Sequence, residues 1–386
     1  MAAAENHAGP ESPVSEVESE PPYIHVLSAF LAMEPPDYVI SLARECIGDS
    51  ITGSVQRVFW ENCVKAAANG NTSYAKKFLK KLISEIELEN GEVLDELYEE
   101  YALYMSSSKD DETAKESIRV CKVVSFLFPE GLYEHPSCPR SRKLVIPLKC
   151  SLNMLEGDTG CSVWPSSLFL SEFVLSFPDF FAGKTCFEVG SGVGLVGICL
   201  AHVKASKVIL TDGDLLTLTN MKLNLEVNHL NYDDDLAQQS GKAQSTVKCV
   251  HLPWETASDA ELQEYNPDII LGADVIYDPS CLPHLVRVLA TLLQKRPSHS
   301  AERDNSPEKC SENEYANAAG EQEHAPVAYI ASVIRNADTF NVFLKLLDQT
   351  ELSITDITEK LKPLEFLPYM RSYDRSSVQL FSISSR

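Results

Sequence analysis

The stretch TCFEVGSGVGLVGICLA, residues 185–201, decides the fold class. A short apolar segment ends near Glu188, and glycines follow at every second position as Gly190, Gly192 and Gly194. Glycine has no Cβ and accepts unusual backbone dihedrals, so such a run lets the main chain approach a ligand closely. Glycines between a strand and a helix N-terminus are typical of sites for a polar or anionic ligand. The stretch therefore predicts a strand, a tight ligand-binding turn and a helix.

Two ligands fit this turn. Gly192, Gly194 and Gly197 satisfy the dinucleotide pattern G-x-G-x-x-G, and Asp212 follows twenty residues after Gly192, where a ribose-binding acid belongs. The alternative is S-adenosylmethionine, because Glu188 and the extra glycine complete the pattern E-x-G-x-G-x-G. An acid before the glycines can face the cationic amino-acid end of that ligand, whereas it would repel a pyrophosphate. The stretch favours the methyl donor and leaves NAD open.

Strand-like and helix-like segments alternate around this stretch. The apolar, β-branched segments are TCFEVG, KVILTD, TVKCVHL, PDIILGADVIY and VAYIASVI, and the segments ELSITDIT and SSVQLFSIS close the chain. This alternation predicts an α/β fold with a parallel sheet covered by helices on both faces. Two more strand-like segments, VCKVVSFLF and KLVIPLKCSL, precede the glycine stretch.

The N-terminal part has helical periodicity. One helix is predicted in SYAKKFLKKLISEIELE, with an apolar face of Tyr74, Phe78, Leu79, Leu82, Ile83 and Ile86. A second is predicted in VLDELYEEYALYM, with an apolar face of Val93, Leu94, Leu97, Tyr98 and Tyr101. The prolines of MEPPDY must interrupt any helix there. We predict a small all-helical domain over residues 21–117.

Two segments have the composition of disordered chain. Residues 1–20 are polar and rich in Pro and Glu, and residues 297–326 are polar with few apolar side chains. Such segments cannot bury enough apolar surface to fold. We predict a disordered N-terminus and a disordered surface insertion.

The charge balance limits the partners. The chain of 386 residues carries 33 basic and 56 acidic side chains, for a net charge of −23. Such a surface would repel a polyanion, which argues against direct nucleic-acid binding. A basic protein surface or a lysine-bearing substrate suits it better. We expect a protein partner and a monomer.

The cysteines and the N-terminus indicate the compartment. The 11 cysteines are scattered without a Cys-x-x-Cys motif, so we expect reduced thiols, with neither a metal site nor a disulfide framework. The N-terminus is acidic and lacks the apolar segment of a secretory signal. No apolar run reaches membrane-spanning length. We expect a cytoplasmic protein without membrane contact.

Two later segments place polar and aromatic side chains after strands. Trp254 follows the third strand of the predicted sheet in HLPWE, where an indole could stack beside an adenine, although a core tryptophan is the simpler explanation. Asp274 and Tyr277 follow IILGA, at the carboxyl end of the fourth strand. Ligands of open α/β sheets bind outside these strand ends. A carboxylate is also costly within an apolar run, so we expect Asp274 to have a chemical role.

Together these motifs resemble a known family. The order Trp164, EVGSGVG, TDGD, LPWE and ADVIYD is similar to the seven-strand, Rossmann-like methyltransferases that modify protein lysines, whose mark is a motif such as Asp274-Val-Ile-Tyr277. The segments YAKKFLKKLISEIE, LDELYEEY and GDTGCSVWPSSLFLSEFV resemble the members that methylate translation elongation factor 2. The insertion at residues 297–326 departs from that group. The resemblance implies a methyltransferase domain over residues 118–386.

The resemblance also implies site residues. Trp164 would flank the donor, and Gly190, Ser191 and Gly192 would form the close turn. Asp212 would bind the ribose hydroxyls, Trp254 would lie beside the adenine and Ala273 would border the methionine end. From the pattern itself, Glu188 and Gly194 join the cofactor set. Asp274 would hold the substrate amine, and Tyr277 would line its channel.

Three other functions remain open from the sequence. An NAD-dependent oxidoreductase would need a catalytic constellation such as Tyr-x-x-x-Lys, which is not apparent near the predicted sheet. A non-catalytic binding module would have no reason to retain EVGSGVG, Asp212 and DVIY together. A methyltransferase of a small molecule, or of a different protein, fits the cofactor motifs equally well.

Overall fold

A computed structural model describes residues 23–65, 71–107, 119–128, 143–151, 159–234, 246–294, 325–366 and 373–386. The predicted disordered N-terminus at residues 1–20, nearly all of the insertion at residues 297–326 and the domain boundary at residue 117 lie outside the described residues. That division into domains therefore stays a prediction.

Ten strands are described. They are β1 Arg119–Leu127, β2 Lys143–Ser151, β3 Thr185–Val189, β4 Lys207–Asp212, β5 Tyr232–Asp234, β6 Val247–His251, β7 Ile269–Ala273, β8 Val327–Val333, β9 Leu352–Asp356 and β10 Val378–Ser385.

The described helices fall into an N-terminal group and a group around the sheet. The first group is α1 Ile24–Leu31, α2 Pro36–Cys46, α3 Gly53–Val58, α4 Thr72–Leu88 and α5 Asp95–Ser107, with a π-helical segment Phe59–Val64 after α3. The second is α6 Pro165–Ser176, α7 Pro178–Phe181, α8 Leu195–His202, α9 Leu215–Val227, α10 Asp259–Tyr265, α11 Leu282–Leu292 and α12 Ala337–Gln349. Short 3-10 turns lie at Thr159–Cys161 and Arg375–Ser377.

The main sheet has the order β5-β6-β4-β3-β7-β8-β10-β9. Its strands pair in parallel from β5 to β8, whereas β10 pairs antiparallel with both β8 and β9. After β3 the chain forms β4, β5 and β6 on one side of β3, and it then returns to form β7 on the other side of β3. This reversal opens a crevice at the carboxyl ends of β3 and β7, which is where open α/β sheets bind ligands.

The predicted α/β fold class, a sheet with helices on both faces after an N-terminal helical region, is confirmed, but the described sheet has eight strands in place of seven and is antiparallel at β10. All seven strand segments predicted for the sheet form strands. The short edge strand β5 was not predicted, because Tyr-Asp-Asp has no apolar pattern. The fourth predicted strand ends at Ala273, earlier than predicted, because Asp274 has a positive φ of 55° that extended strands do not adopt.

Both faces of the sheet are covered. On one face, Cys186 of β3 shares a buried cluster with side chains of α6, α8 and α9. On the other face, Phe187 and Val189 share a second cluster with side chains of α10, α11 and α12. Neighbouring residues of a strand point to opposite faces, so a central parallel strand is apolar almost throughout.

The helical region and the sheet share one of these cores. All six predicted face residues of α4 are buried. Among them, the ring of Phe78 meets that of Phe30 at a centroid distance of 5.0 Å. The helix break at MEPPDY is confirmed, because α2 begins at Pro36. The second predicted helix begins only at Asp95, and Tyr98 on its predicted apolar face is exposed.

The strands β1 and β2 form a separate antiparallel hairpin. Its side chains Phe126 and Ile146 belong to the same core as the helical region and the first face of the sheet. Asparagines of α9 hold β2, since Asn224 Oδ1 accepts from Lys149 N at 2.7 Å and Asn220 Nδ2 donates to Lys149 O at 2.9 Å. The hairpin therefore connects the helical region with the sheet.

Candidate active site

A cavity of about 520 Å³ opens at the carboxyl edge of the sheet. Its volume suits a small-molecule ligand. Most of the predicted site residues line it, namely Trp164, Gly190, Gly192, Asp212, Trp254, Ala273, Asp274 and Tyr277. They come from the segments after β3, β4, β6 and β7 and from the start of α6. The strand ends thus bring distant parts of the sequence to one place.

The glycine turn is shaped for a ligand. Gly190 and Gly192 have positive φ angles of 65° and 53°, which side chains rarely tolerate. A Cβ on Gly190 would lie 3.1 Å from Val275 and 3.6 Å from the ring of Trp254. A Cβ on Gly192 would lie 3.0 Å from the carbonyl oxygen of Gly160. This part of the cavity stays open because Gly190 and Gly192 carry no side chain.

Asp212 is fixed at the cavity wall beside the turn. Its carboxylate accepts hydrogen bonds from the backbone nitrogens of Gly192 and Asp214, both at 3.1 Å. Burial raises the pKa of Asp212, and these backbone hydrogen bonds oppose the rise. The bonds hold the carboxyl group in one orientation, at the end of β4 where a ribose-binding acid was predicted.

The other three predicted cofactor residues belong to β3 or to the turn after it and are absent from the described cavity wall. Glu188 is buried, and burial raises the pKa of its carboxyl group well above the usual range. Ser191 fastens the turn to β4, because its N–H donates to Thr211 O at 2.8 Å and its Oγ accepts from Thr211 N at 3.0 Å. A Cβ on Gly194 would lie 3.0 Å from Met221 of α9.

Trp164 forms part of the opposite wall. Its Nε1 donates to the carbonyl oxygen of Thr159 at 2.9 Å, and Pro165 starts α6 directly after it. Gly160, which also lines the cavity, packs so tightly on Thr217 that a Cβ would lie 2.4 Å from its Oγ1. Sequence reasoning missed Thr159 and Gly160, because their position depends on contacts with α9.

Asp274 is the most constrained residue of the cavity. Its side chain is 5% exposed, and its backbone has the left-handed φ of 55°. Its oxygens accept hydrogen bonds from Ser166 N at 3.4 Å and Val333 N at 3.2 Å. They also form a paired contact with Arg335, at 3.1 Å from Nη1 and 3.3 Å from Nη2. Such two-pronged contacts fix a carboxylate firmly.

Arg335 is a site residue that sequence reasoning missed. It follows β8 by two residues and lies beside the ring of Trp164, with its Cζ 5.2 Å from the ring centroid. A signal existed, because the carboxyl end of β8 belongs to the same sheet edge as those of β3, β4 and β7. Glu255, Asp214 and Cys281 also line the cavity without having been predicted.

Tyr277 stands at the mouth of the cavity. It is 63% exposed, although it lines the same cavity as Asp274. Exposed aromatic side chains at a cavity mouth can contact both a ligand and an incoming partner.

Within the described ranges, His, Cys, Asp and Glu side chains form no group of three or more that could hold a metal ion. Among the helices that the structure describes, none combines the length and apolarity that a membrane span requires.

Comparisons with known proteins show which proteins this chain is similar to. A family model described as lysine methyltransferase matches residues 146–312. The protein-lysine N-methyltransferase EEF2KMT of Homo sapiens is 28% identical to this chain over 322 residues. The alignment covers 82% of each chain. The protein-lysine N-methyltransferase EFM3 of Saccharomyces cerevisiae is 27% identical over 250 residues, or 61% of this chain and 64% of that protein.

Other matches are less informative. An uncharacterized protein of Dictyostelium discoideum is 34% identical over 239 residues, and this chain spans 58% of its length. A solved structure, a 16S rRNA methyltransferase of T. Thermophilus in complex with AdoMet and guanosine, is 15% identical and has a TM-score of 0.37. The matched region covers 68% of this chain and 51% of the chain in that structure.

The matches bear on two of the three alternatives that the sequence left open. The chain is a methyltransferase, and its methyl donor is S-adenosylmethionine. The NAD-dependent oxidoreductase and the non-catalytic module are thereby set aside.

Proposed function

A lysine methyltransferase family model matches residues 146–312 of this chain, and we propose that the protein methylates a lysine of translation elongation factor 2. One observation carries the proposal. A single cavity joins a glycine turn with Asp212, which suit the donor, to Asp274, which suits an amine. The resemblance of the helical N-terminus to the elongation factor 2 enzymes supports this substrate, as does the alignment with EEF2KMT over 82% of the chain.

The walls of the cavity fit S-adenosylmethionine. Gly190 and Gly192 leave room against the main chain, and the carboxyl group of Asp212 can accept hydrogen bonds from ribose hydroxyls. Trp254 offers an aromatic face for the adenine. Ala273 leaves space for the methionine end because its side chain is small. When bound, the cofactor supplies an electrophilic methyl group.

We assign the amine to the wall formed by Asp274 and Trp164. A lysine must lose its proton before it can attack, because an ammonium has no lone pair. The protein contributes position and electrostatics to this transfer. Asp274 offers a fixed acceptor for an N–H of the amine, provided that Arg335 yields one of its two hydrogen bonds. Tyr277 lines the path from the surface.

Glu188 and Gly194 keep their proposed place in the cofactor site through the turn that they support. Glu188 lies beneath the turn, and one of its carboxyl oxygens has no hydrogen-bond partner among the described residues. The direct contact between Glu188 and the cationic end of the donor stays a prediction.

The charge of the cavity supports a basic protein as the substrate. Four of its lining residues are acidic, namely Asp212, Asp214, Glu255 and Asp274. An acidic site attracts a lysine-bearing surface and disfavours a polyanion. We propose that the protein acts as a monomer in the cytoplasm, without direct contact with nucleic acid.

The substrate can be identified without assuming it. The purified protein is incubated with labelled S-adenosylmethionine and a cell extract, and the labelled band is identified by mass spectrometry. We expect the label on a lysine of elongation factor 2. Label on another protein or on a small molecule would contradict the proposed substrate and would establish one of the alternatives.

Binding of the donor can be measured separately. We expect the protein to bind S-adenosylmethionine and not NAD, because the turn has the pattern E-x-G-x-G-x-G and the similar relatives are methyltransferases. Calorimetry with both ligands checks this. Tight binding of NAD with no response to the methyl donor would contradict the assignment of the site.

A further inference from the structure

Arg335 contacts the carboxylate that we assign to the substrate amine. Both of its terminal nitrogens face the carboxylate of Asp274, at 3.1 and 3.3 Å. Its guanidinium also lies beside the face of Trp164, with Cζ 5.2 Å from the ring centroid. The side chain is 44% exposed, so it has room to move toward solvent. The contact with an aromatic face keeps its positive charge near the cavity.

The acceptor capacity of Asp274 is already used. A carboxylate has about four lone-pair sites, and the backbone nitrogens of Ser166 and Val333 and the two nitrogens of Arg335 supply four donors. An entering amine must therefore displace one donor. The two backbone donors are fixed by α6 and β8, so Arg335 is the one that can yield.

Arg335 also dominates the positive charge of the site. Of the lining residues that the structure describes, it alone is basic. The titratable groups that line the cavity together with it are Asp212, Asp214, Glu255, Asp274, Tyr277 and Cys281. Asp338, in the first turn of α12, is the charged residue nearest to it along the chain. Without Arg335 the cavity would carry acids only, and a lysine would enter and stay as the ammonium.

We propose that Arg335 determines the protonation state of the substrate lysine, by neutralising Asp274 and disfavouring an ammonium beside it. A like charge within about 4–6 Å disfavours the charged form of a group. The ammonium then releases its proton to water, and the neutral amine binds with its lone pair available. Arg335 is thus a positioning residue that acts on the substrate through Asp274. This inference rests on the proposed function, because it takes Asp274 as the partner of the amine.

The test is the pH dependence of kcat in Arg335→Gln. The kcat profile reports groups in the enzyme–substrate complex. Without the guanidinium, the unpaired Asp274 should stabilise the ammonium and raise the pKa of the bound lysine by about one unit or more. We therefore expect the kcat profile for elongation factor 2 to move to higher pH. At neutral pH, kcat should fall by about tenfold per unit, whereas KM should stay equal or decrease.

Two matched variants separate charge from shape. Arg335→Lys keeps the positive charge but loses the two-pronged contact, so its profile should not move even if its kcat is lower. Arg386→Gln removes one positive charge from an exposed pair with Asp348, far along the chain from the cavity, and should behave as the wild type. An unshifted profile in Arg335→Gln, or an equal shift in either control variant, would overturn the proposal.

A second measurement does not depend on elongation factor 2. n-Butylamine is a mimic of the lysine side chain, and its binding to the protein saturated with S-adenosylhomocysteine can be followed by NMR. We expect Arg335→Gln to bind butylammonium more tightly than the wild type at neutral pH. Equal binding would overturn the role of Arg335. A wild-type enzyme that binds n-butylamine but leaves elongation factor 2 unmethylated would contradict the proposed substrate alone.

Discussion

Asp274→Asn is expected to lower methyl transfer by about tenfold or more while cofactor affinity stays within about threefold of the wild type. A charge-assisted hydrogen bond contributes about 1.5–3 kcal/mol, and each 1.36 kcal/mol corresponds to about a factor of ten in rate. Asparagine keeps the size of the side chain and tolerates the left-handed φ of 55°. Alanine would leave the donors Ser166 N and Val333 N without an acceptor, so it tests folding as much as catalysis.

Turnover and cofactor affinity must be measured on the same folded variant. Asp278→Asn is a matched control, because it makes the same change four residues away, where the side chain caps a turn at Ser280. We expect this control to retain turnover. Normal turnover in Asp274→Asn would remove Asp274 from the mechanism. An equal loss of turnover and cofactor affinity would make it a cofactor-site residue.

Gly192→Asp is expected to weaken S-adenosylmethionine binding by about 100-fold or more, which corresponds to about 2.7 kcal/mol. A Cβ at this position would lie 3.0 Å from the carbonyl oxygen of Gly160, and the φ of 53° disfavours any side chain. The added carboxylate would also lie close to Asp212, which accepts a hydrogen bond from Gly192 N at 3.1 Å. Calorimetry measures the loss.

Gly183→Ala is the control for backbone strain. Gly183 also has a positive φ, of 72°, but a Cβ there would meet nothing within 4 Å. The variant should lose some stability and retain its cofactor affinity, because Gly183 does not line the cavity. If Gly192→Asp bound the cofactor as tightly as the wild type, the site would be misplaced.

The fold could be predicted wherever a pattern repeats. The spacing of apolar residues identified the buried face of α4, and the alternation of apolar segments identified seven strands of the main sheet. Short or irregular features escaped. The strand β5 has only three residues, Tyr-Asp-Asp, and lacks an apolar pattern. The strand β7 ends before Val275 and Ile276, although these residues are apolar. Backbone conformation at Asp274, and not hydrophobicity, ends that strand.

The site could be predicted in part, because the carboxyl ends of parallel strands meet at one edge. That rule predicted that Asp212, Trp254 and Asp274 lie at one edge, and all three line one cavity. It did not reveal which way Glu188 faces, since a strand covered on both sides is buried throughout. The pairing of Arg335 with Asp274 escaped as well. This pairing depends on β7 lying beside β8, and neither segment alone predicts that the two strands are neighbours.

We propose that this cavity transfers methyl groups from S-adenosylmethionine to a protein lysine. The most direct test incubates purified, unmethylated elongation factor 2 with the cofactor and the wild-type protein, and maps the product by tandem mass spectrometry. We expect added methyl groups on one lysine, with greatly reduced product when Asp274→Asn replaces the wild type. An elongation factor 2 that stays unmethylated in the presence of an enzyme shown to bind the cofactor would contradict the proposed substrate. Methyl groups on a residue other than lysine would contradict the account itself.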